Sequence, residues 1–516
     1  MRKIYLYTVV ALMSSVGFFS CVDDKGSYDY LPVNEVTISG IEDEYNVIAG
    51  VTELTIEPKI AGTLAGEDDS NYEYTWYACI SDAFDNHSHT TLSNEKNLDV
   101  VVSLAPTTYS LYLMVTDKST GLEWQASTKL SVSTPLTTGF YVFGDKEDGT
   151  VGMDFLSLTA GGDSLIIKDI FTNERGLRGA EDLMFSGPYT SEVQALWAVT
   201  DDGSYKITSL IRQSSVFDVD ENFSIDNILY PQLDVKRPIE VMDVFPHQGA
   251  GGRIMNNSNR GYITEDAVYM GNIILAETFG DPMNRYSGTS TELFTPYKVP
   301  FYSTSYVRSV MLYDLDNERF TTANNTLWTS ATSCRILTDA DTDRFPWNQK
   351  NRTIVYGDNC GDGYSYALMR DTEDANKYYV YIFYVYMYSS PQKYGCYEID
   401  ASQVPGFAEA SHYTFFVNQP YILYSVGSQL WSCNYVSGQA TMLHDFGSEI
   451  TYLAFDWVSG DVTDIAICTY DSTNKGTIYK YKMTDNPNIM EITPMENCEW
   501  KTDLRVKKLE YRNSSL

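Results

Sequence analysis

An all-β protein made of two unlike β-rich regions in series is what this sequence predicts, and three observations carry the prediction. The 516 residues include 41 Tyr, 22 Phe and 8 Trp against only 20 % charged residues, a composition that suits pleated, half-buried surfaces and leaves ample apolar area to bury. From Glu35 to Val132 apolar and polar residues alternate with period two, the pattern of strands with one face inward. After residue 139 the strand pairs recur at roughly 35 to 50 residues, an interval that marks a repeat architecture.

The elements follow in order. Arg2 and Lys3 open the chain, an apolar run reaches Phe19, and Ser20 precedes Cys21. The run is about 16 residues, short of the ~20 that span a bilayer, so residues 1–20 read as a secretory signal. Cys21 stands where a lipoprotein signal peptidase would cut and becomes the acylated first residue, although Phe18 holds a place where leucine is more usual. Residues 21–33 are polar, without sustained periodicity, and read as a lipidated tether. Residues 34–134 carry the segments EVTISGI, ELTIEPKIAGT, YEYTWYACI, LDVVVSL, YSLYLMVTD and WQASTKLSVS, separated by turn formers such as Lys118-Ser119-Thr120-Gly121. Six or seven strands in about 100 residues is the scale of an immunoglobulin-like sandwich, with Trp76 as its core tryptophan. Pro135 to Thr138 forms a hinge.

Residues 139–516 predict a β-propeller of about seven blades. Candidate starts are GFYVFGD at 139, ALWAVTDDGSYKI at 195, RGYITEDAVYMG at 260, SVMLYDLDNERF at 309, YSYALMRD at 364, PYILYSVGSQLWSCNY at 420 and TDIAICTYDSTNKGTIYKYKM at 463. A blade cannot bury both faces alone, so such units stack around an axis. The third unit and residues 276–308 fit the period badly. The best helical candidate is the short stretch from Gly179 to Phe185.

Charge narrows the partners. Net charge is −33, or −35 once Arg2 and Lys3 leave with the signal, which disfavours nucleic acid and anionic membrane surfaces. Apart from Cys21 there are seven cysteines, none at C-x-x-C spacing, so neither a zinc knuckle nor a thioredoxin-type site is indicated. Buried free thiols are the expected state, since a chain of this length does not need disulfides.

Two groups of residues carry a resemblance. Asp23 and Asp24, just after Cys21, resemble the acidic export signal that sends Bacteroidota lipoproteins to the outer face of the outer membrane; an ordinary periplasmic lipoprotein or plain secretion are the alternatives. YEYTWY, followed by YSLYLMVTDKSTG, resembles the PKD-like domain of Bacteroidota surface lipoproteins, although Tyr77-Ala78-Cys79 replaces the glycine-aspartate turn common after the tryptophan. Together with the tyrosine-rich repeat region, the chain resembles PKD-like family lipoproteins encoded beside SusC-like transporters and SusD-like lipoproteins. The resemblance implies a surface accessory of such an uptake complex and transfers no functional residue.

Catalytic signatures are absent from the sequence: it has no H-E-x-x-H, no G-x-S-x-G and no P-loop. Of five histidines, His247 in FPHQGAGG is the most suggestive, because its glycines bring backbone donors near; a loop with an incidental histidine is the plainer reading. His87, His89 and Asp85 in DNHSHTT form a possible metal triad, with a solvated loop as the alternative. Asp339, Asp341 and Asp343 have the alternate oxygen spacing that suits Ca²⁺, though Arg344 and Lys350 stand where an EF-hand needs glycine and glutamate. Asp358, Asn359 and Asp362 form a similar turn. Aromatics outside clean strand patterns, namely Tyr286, Tyr302, Tyr306, Trp328 and Trp347, with Tyr297 and Tyr364, are candidates to stack on sugar faces or grip peptide side chains.

The expectation is therefore a non-enzymatic, lipid-anchored protein of the cell surface, capturing a peptide or glycan or assembling a SusC/SusD-like importer. A surface glycoside hydrolase or lyase is the first rival, and a purely structural partner without ligand the second. No cofactor is expected beyond a possible Ca²⁺.

Overall fold

Alternating patterns become strands throughout. The computed structural model describes residues 33–513 apart from 51, 67, 81–88, 106, 134–135, 137, 159–163, 172, 174, 187–194, 208–240, 253–258, 273–280, 305–308, 324–331, 349–350, 386–389, 485 and 487–488. Among the described residues there is no α-helix, only three-residue 3-10 turns such as Asp69–Asn71. The chain separates into two units that meet between Val132 and Ser133.

Unit 1 is a small β-sandwich. Its main sheet has five strands in the order Glu44–Ile48, Glu123–Ser133, Thr107–Asp117, Tyr72–Cys79 and His89–Ser93. Two further pairs, Val36–Ser39 with Lys59–Gly62 and Glu53–Ile56 with Leu98–Val101, supply the opposing layer. Strand Tyr72–Cys79 buries every second residue, and Trp76 is fully enclosed among Leu54, Ile56, Leu98, Leu111 and Leu113. The indole N–H donates to the Lys96 carbonyl at 3.1 Å, so the polar end of a buried tryptophan is satisfied.

Unit 2 holds, among the described residues, seven antiparallel sheets of three or four strands each. Six span 180–207, 241–272, 311–336, 352–400, 412–445 and 449–502. The remaining sheet combines both ends of the unit: Gly139–Asp145, Val151–Leu158 and Ser164–Ile167 are joined by the last strand, Arg505–Arg512, which pairs antiparallel with Gly139–Asp145.

Apolar clusters link these sheets in a cycle. Phe143 and Phe155 pack on Leu183 and Leu196; Met184 and Trp197 on Val241 and Val244; Ile263 and Met270 on Val310 and Leu312. Tyr313 and Phe320 pack on Met369 and Tyr381; Leu368 and Val380 on Phe415 and Ile422; Phe416 and Leu423 on Ile465 and Ile467. Ala466, Cys468 and Ile478 then return to Phe140, Val142 and Val506 of the first sheet. The arrangement is propeller-like, with both faces of each sheet covered by a neighbour.

Two expectations change. The helical candidate is a strand, Ala180–Ser186, because Leu183 and Met184 serve clusters on opposite faces, a demand that a period of two meets and a helical stripe does not. Five of the seven expected unit starts fall one strand too late, since the sheets begin at Ala180, Val241, Arg352, His412 and Glu449. Several of these missed first strands carry polar residues toward an interior cavity, which weakens their apolar signal.

Candidate functional site

First strands of several unit 2 sheets, together with the closing strand Arg505–Arg512, bring charged and aromatic side chains together. Asp182 comes from Ala180–Ser186, Asp243 from Val241–Phe245, Asp358 from Arg352–Asn359, and Lys508 and Glu510 from Arg505–Arg512. Tyr452, Asp456 and Trp457 come from the seventh sheet and the turn after its first strand. These residues, with His247, Gln248 and Tyr302, line a cavity of about 250 Å³, at the small end of the roughly 300–1,000 Å³ typical of ligand pockets.

The loop after Val241–Phe245 shapes one wall. Gly251 and Gly252 adopt φ values of 73° and 66°, and a side chain at Gly252 would meet the Tyr511 ring at 2.9 Å, so glycine is required. The turn reaches across to the seventh sheet, where the Gly251 N–H donates to the Val458 carbonyl at 2.7 Å. His247 is thereby held at the cavity, its N–H donating to the Tyr302 hydroxyl at 2.9 Å.

The charges form short pairs. His247 Nε2 lies 2.6 Å from Asp243 Oδ1; burial works against the charged imidazole, but the Asp243 carboxylate outweighs it and lifts the group above its ordinary value. Lys508 Nζ sits 2.9 Å from Asp182 Oδ1. Burial opposes the lysine charge too, yet Asp182 and Glu510 hold it firmly protonated, and Lys508 in turn keeps the Asp182 carboxyl low despite its own burial. Asp456 is bound by Lys480 and by the Ser459 hydroxyl. Asp358 differs: burial raises its carboxyl, and its side-chain partners among the described residues are the Tyr356 hydroxyl at 3.1 Å and the Cys360 thiol rather than a cation.

Gln248 is the odd member. It is 4 % exposed, and neither its amide nitrogen nor its amide oxygen has a hydrogen-bond partner among the described residues. Asn359, on the same wall, is fully engaged: its oxygen accepts from Tyr302 N and Ser365 Oγ, and its nitrogen donates to the Pro300 carbonyl at 2.8 Å. No serine or cysteine lines the cavity among the described residues, so the His247–Asp243 pair has no adjacent nucleophile of the triad kind.

Other expected site residues lie elsewhere. Trp347 is corrected from a stacking surface to the core: it is 4 % exposed, among Phe320, Phe345 and Phe383. Tyr302 is likewise a core ring, 3 % exposed, of which the hydroxyl reaches the cavity wall. Tyr286 stacks on Phe294 and donates to Asp314 Oδ2 at 2.5 Å, so its hydroxyl is committed. Tyr297 packs against the Phe301 cluster, and Tyr364 rests on Tyr384 and Tyr394.

Asp339 and Asp343 are not left for a metal ion: Lys393 Nζ lies 2.7 Å and 2.5 Å from them, and Asp339 also accepts from the Trp347 and Asn348 N–H groups. Asp341 is exposed. No group of three metal-ligating side chains gathers among the described residues. The seven cysteines after Cys21 are unpaired thiols, and Cys334, Cys360, Cys433 and Cys468 are buried. Cys21, Asp23, Asp24, Asp85, His87, Tyr306 and Trp328 lie outside the described residues.

Sequence reasoning singled out His247, Asp358, Asn359 and Tyr302 from this cavity and missed Asp182, Asp243, Gln248, Asp456, Trp457, Lys508 and Glu510. The available signal was an acidic residue inside largely apolar strand text, as in AEDLMFS and VMDVF.

Residues 21–181 match the model of the PKD-like family, a stretch that covers unit 1 from residue 21 onward and runs into the first sheets of unit 2. No curated protein matches the chain. Among solved structures, a quinonprotein alcohol dehydrogenase-like protein from Bacteroides thetaiotaomicron is 12 % identical, with 93 % of this chain and 99 % of that chain covered and a TM-score of 0.38. A puromycin hydrolase is 10 % identical over 70 % of this chain and 52 % of that chain, with a TM-score of 0.39. The WD40 domain of SCAP from fission yeast is 11 % identical over 78 % and 91 %, with a TM-score of 0.24. No helix of the described residues is long and apolar enough to cross a membrane.

Proposed function

We propose that the chain is a non-enzymatic lipoprotein of the Bacteroidota cell surface whose unit 2, a seven-bladed propeller closed by its last strand, captures a small ligand for a SusC/SusD-like importer. The observation that carries this reading is the cavity where five sheets of unit 2 contribute Asp182, Asp243, Asp358, Asp456 and Glu510 to a single wall set. Carboxylates gathered against mutual repulsion and partial burial cost stability, and a binding role explains why they are kept together. The signal, Cys21 and the acidic pair support the surface address, and the PKD-like match supports unit 1 as a spacer.

The test is incubation of the purified mature protein with peptide and glycan panels, followed by co-purification from envelopes. Retention without turnover, together with recovery of a transporter barrel and its lid, is the expected result. Turnover of any panel member would replace this reading by the hydrolase or lyase alternative. Co-purification with silent panels would leave a structural partner.

A further inference from the structure

We propose that the unit 2 cavity takes a primary ammonium group flanked by a hydrogen-bonding neighbour, with Asp358 as counter-charge and the Gln248 amide as a paired donor and acceptor. The inference rests on the capture reading and specifies its ligand chemistry.

Two side chains of the wall each lack a partner of one kind among the described residues, Gln248 any hydrogen-bond partner and Asp358 a cation at ion-pair distance. Gln248, which lines the cavity, has both amide atoms buried and unpartnered among the described residues, whereas buried amides are as a rule fully hydrogen-bonded. Asp358 presents a half-buried carboxylate that faces no cation within ion-pair distance among the described residues, while Asp182, Asp243 and Asp456 are already matched by Lys508, His247 and Lys480. Even with His247 charged, the lining carries five carboxylates against His247, Lys508 and the exposed Lys298, and Lys480 stands behind Asp456. A cationic guest is the species this excess of negative charge favours.

Trp457 and Tyr511 add half-buried aromatic rings, the surfaces on which an ammonium or its carbon frame rests. An ammonium beside Asp358 would supply the missing charge. A hydroxyl or amide next to it would satisfy Gln248. The free amino terminus of a peptide and an amino sugar both have this chemistry, and both fit a volume of about 250 Å³ at least by their terminal unit.

Calorimetric titration of the full mature chain distinguishes the sources with two matched pairs: Ala-Ala against N-acetyl-Ala-Ala, and glucosamine against N-acetylglucosamine. Acetylation removes the charge and leaves the rest of each probe. The free amine of at least one pair is expected to bind, its acetylated partner at least tenfold more weakly. Gln248→Leu and Asp358→Asn, each with a melting curve no lower than wild type, are expected to lose at least tenfold in affinity. Asp445→Asn, at the exposed end of strand Ala440–Asp445, is expected to bind as wild type. Equal binding of amine and acetylated forms overturns the ammonium assignment. A neutral panel ligand held by the wild type and lost in Gln248→Leu also overturns it while sparing the capture reading. A cavity that binds neither amine at 10 mM, holding only water, overturns the proposal outright. The wild-type comparison stands even where a variant fails to fold.

Discussion

In unit 1 the buried polar groups close on one another. Asn34 Nδ2 donates to Asp117 Oδ2 at 2.7 Å and to the Tyr72 hydroxyl at 3.2 Å, and Asn34 Oδ1 accepts from the Leu64 and Ala65 N–H groups. Hydrogen bonds from Ser119 and Asn34 hold the Asp117 carboxyl down at about 2. In unit 2 the inner wall leaves Gln248 unpartnered and Asp358 without a cation. Polarity that is satisfied internally fixes a fold, whereas polarity left open in a cavity costs stability and points outward to a guest.

The largest effect expected comes from removing Arg505–Arg512. That strand completes the first sheet and supplies Val506 and Leu509 to the cluster that joins it to the seventh. Its loss should abolish cooperative melting of unit 2 while the sandwich transition persists; survival of the unit 2 transition would mean that the cycle of sheets does not need this closure.

Trp76→Ala sharpens the other side. Emptying a fully enclosed indole site should cost about 3–5 kcal/mol, read as a lower denaturant midpoint for unit 1 alone. Gln248→Leu should have the opposite sign: removing an unsatisfied buried amide should stabilise unit 2 by roughly 1–3 kcal/mol. A destabilised Gln248→Leu would show that the amide is satisfied in solution.

A pH series isolates His247. Its folded value is raised, so the pairing with Asp243 contributes fully below the unfolded value of about 6.5 and fades as pH rises through the higher folded value. Asp182, Asp358, Lys508 and Glu510 also face this imidazole. Wild type should therefore exceed His247→Gln in unit 2 stability by more at pH 6 than at pH 8.5. Because the side chain is partly exposed, the difference should be only some tenths of a kcal/mol. A gap that widens with pH would contradict the assignment.

The smallest effect is expected from Ca²⁺. Lys393 already balances Asp339 and Asp343, so millimolar Ca²⁺ or a chelator should leave both melting transitions in place.

Much of the fold was legible because burial on one face writes itself as alternation, as in YEYTWYAC, and because apolar strands such as KYYVYIFY pack on two neighbours. The closing strand was not legible: nothing local in RVKKLEYR says that its partner lies at Gly139–Asp145, several hundred residues away in the chain. The site was only half legible for a related reason. His247 drew notice from its glycines, but Asp182, Asp243 and Lys508 become neighbours only when sheets from distant segments share an interior. Trp347 misled because an aromatic outside regular strand text can still be a core ring.

Scanning calorimetry of the intact mature chain, with and without a saturating free-amine ligand, tests the central claim most directly. The account predicts that the unit 2 transition rises in wild type, rises less in Gln248→Leu, and leaves the sandwich transition unmoved in both. A ligand that shifts the sandwich transition instead, or shifts unit 2 equally in the variant, would contradict it.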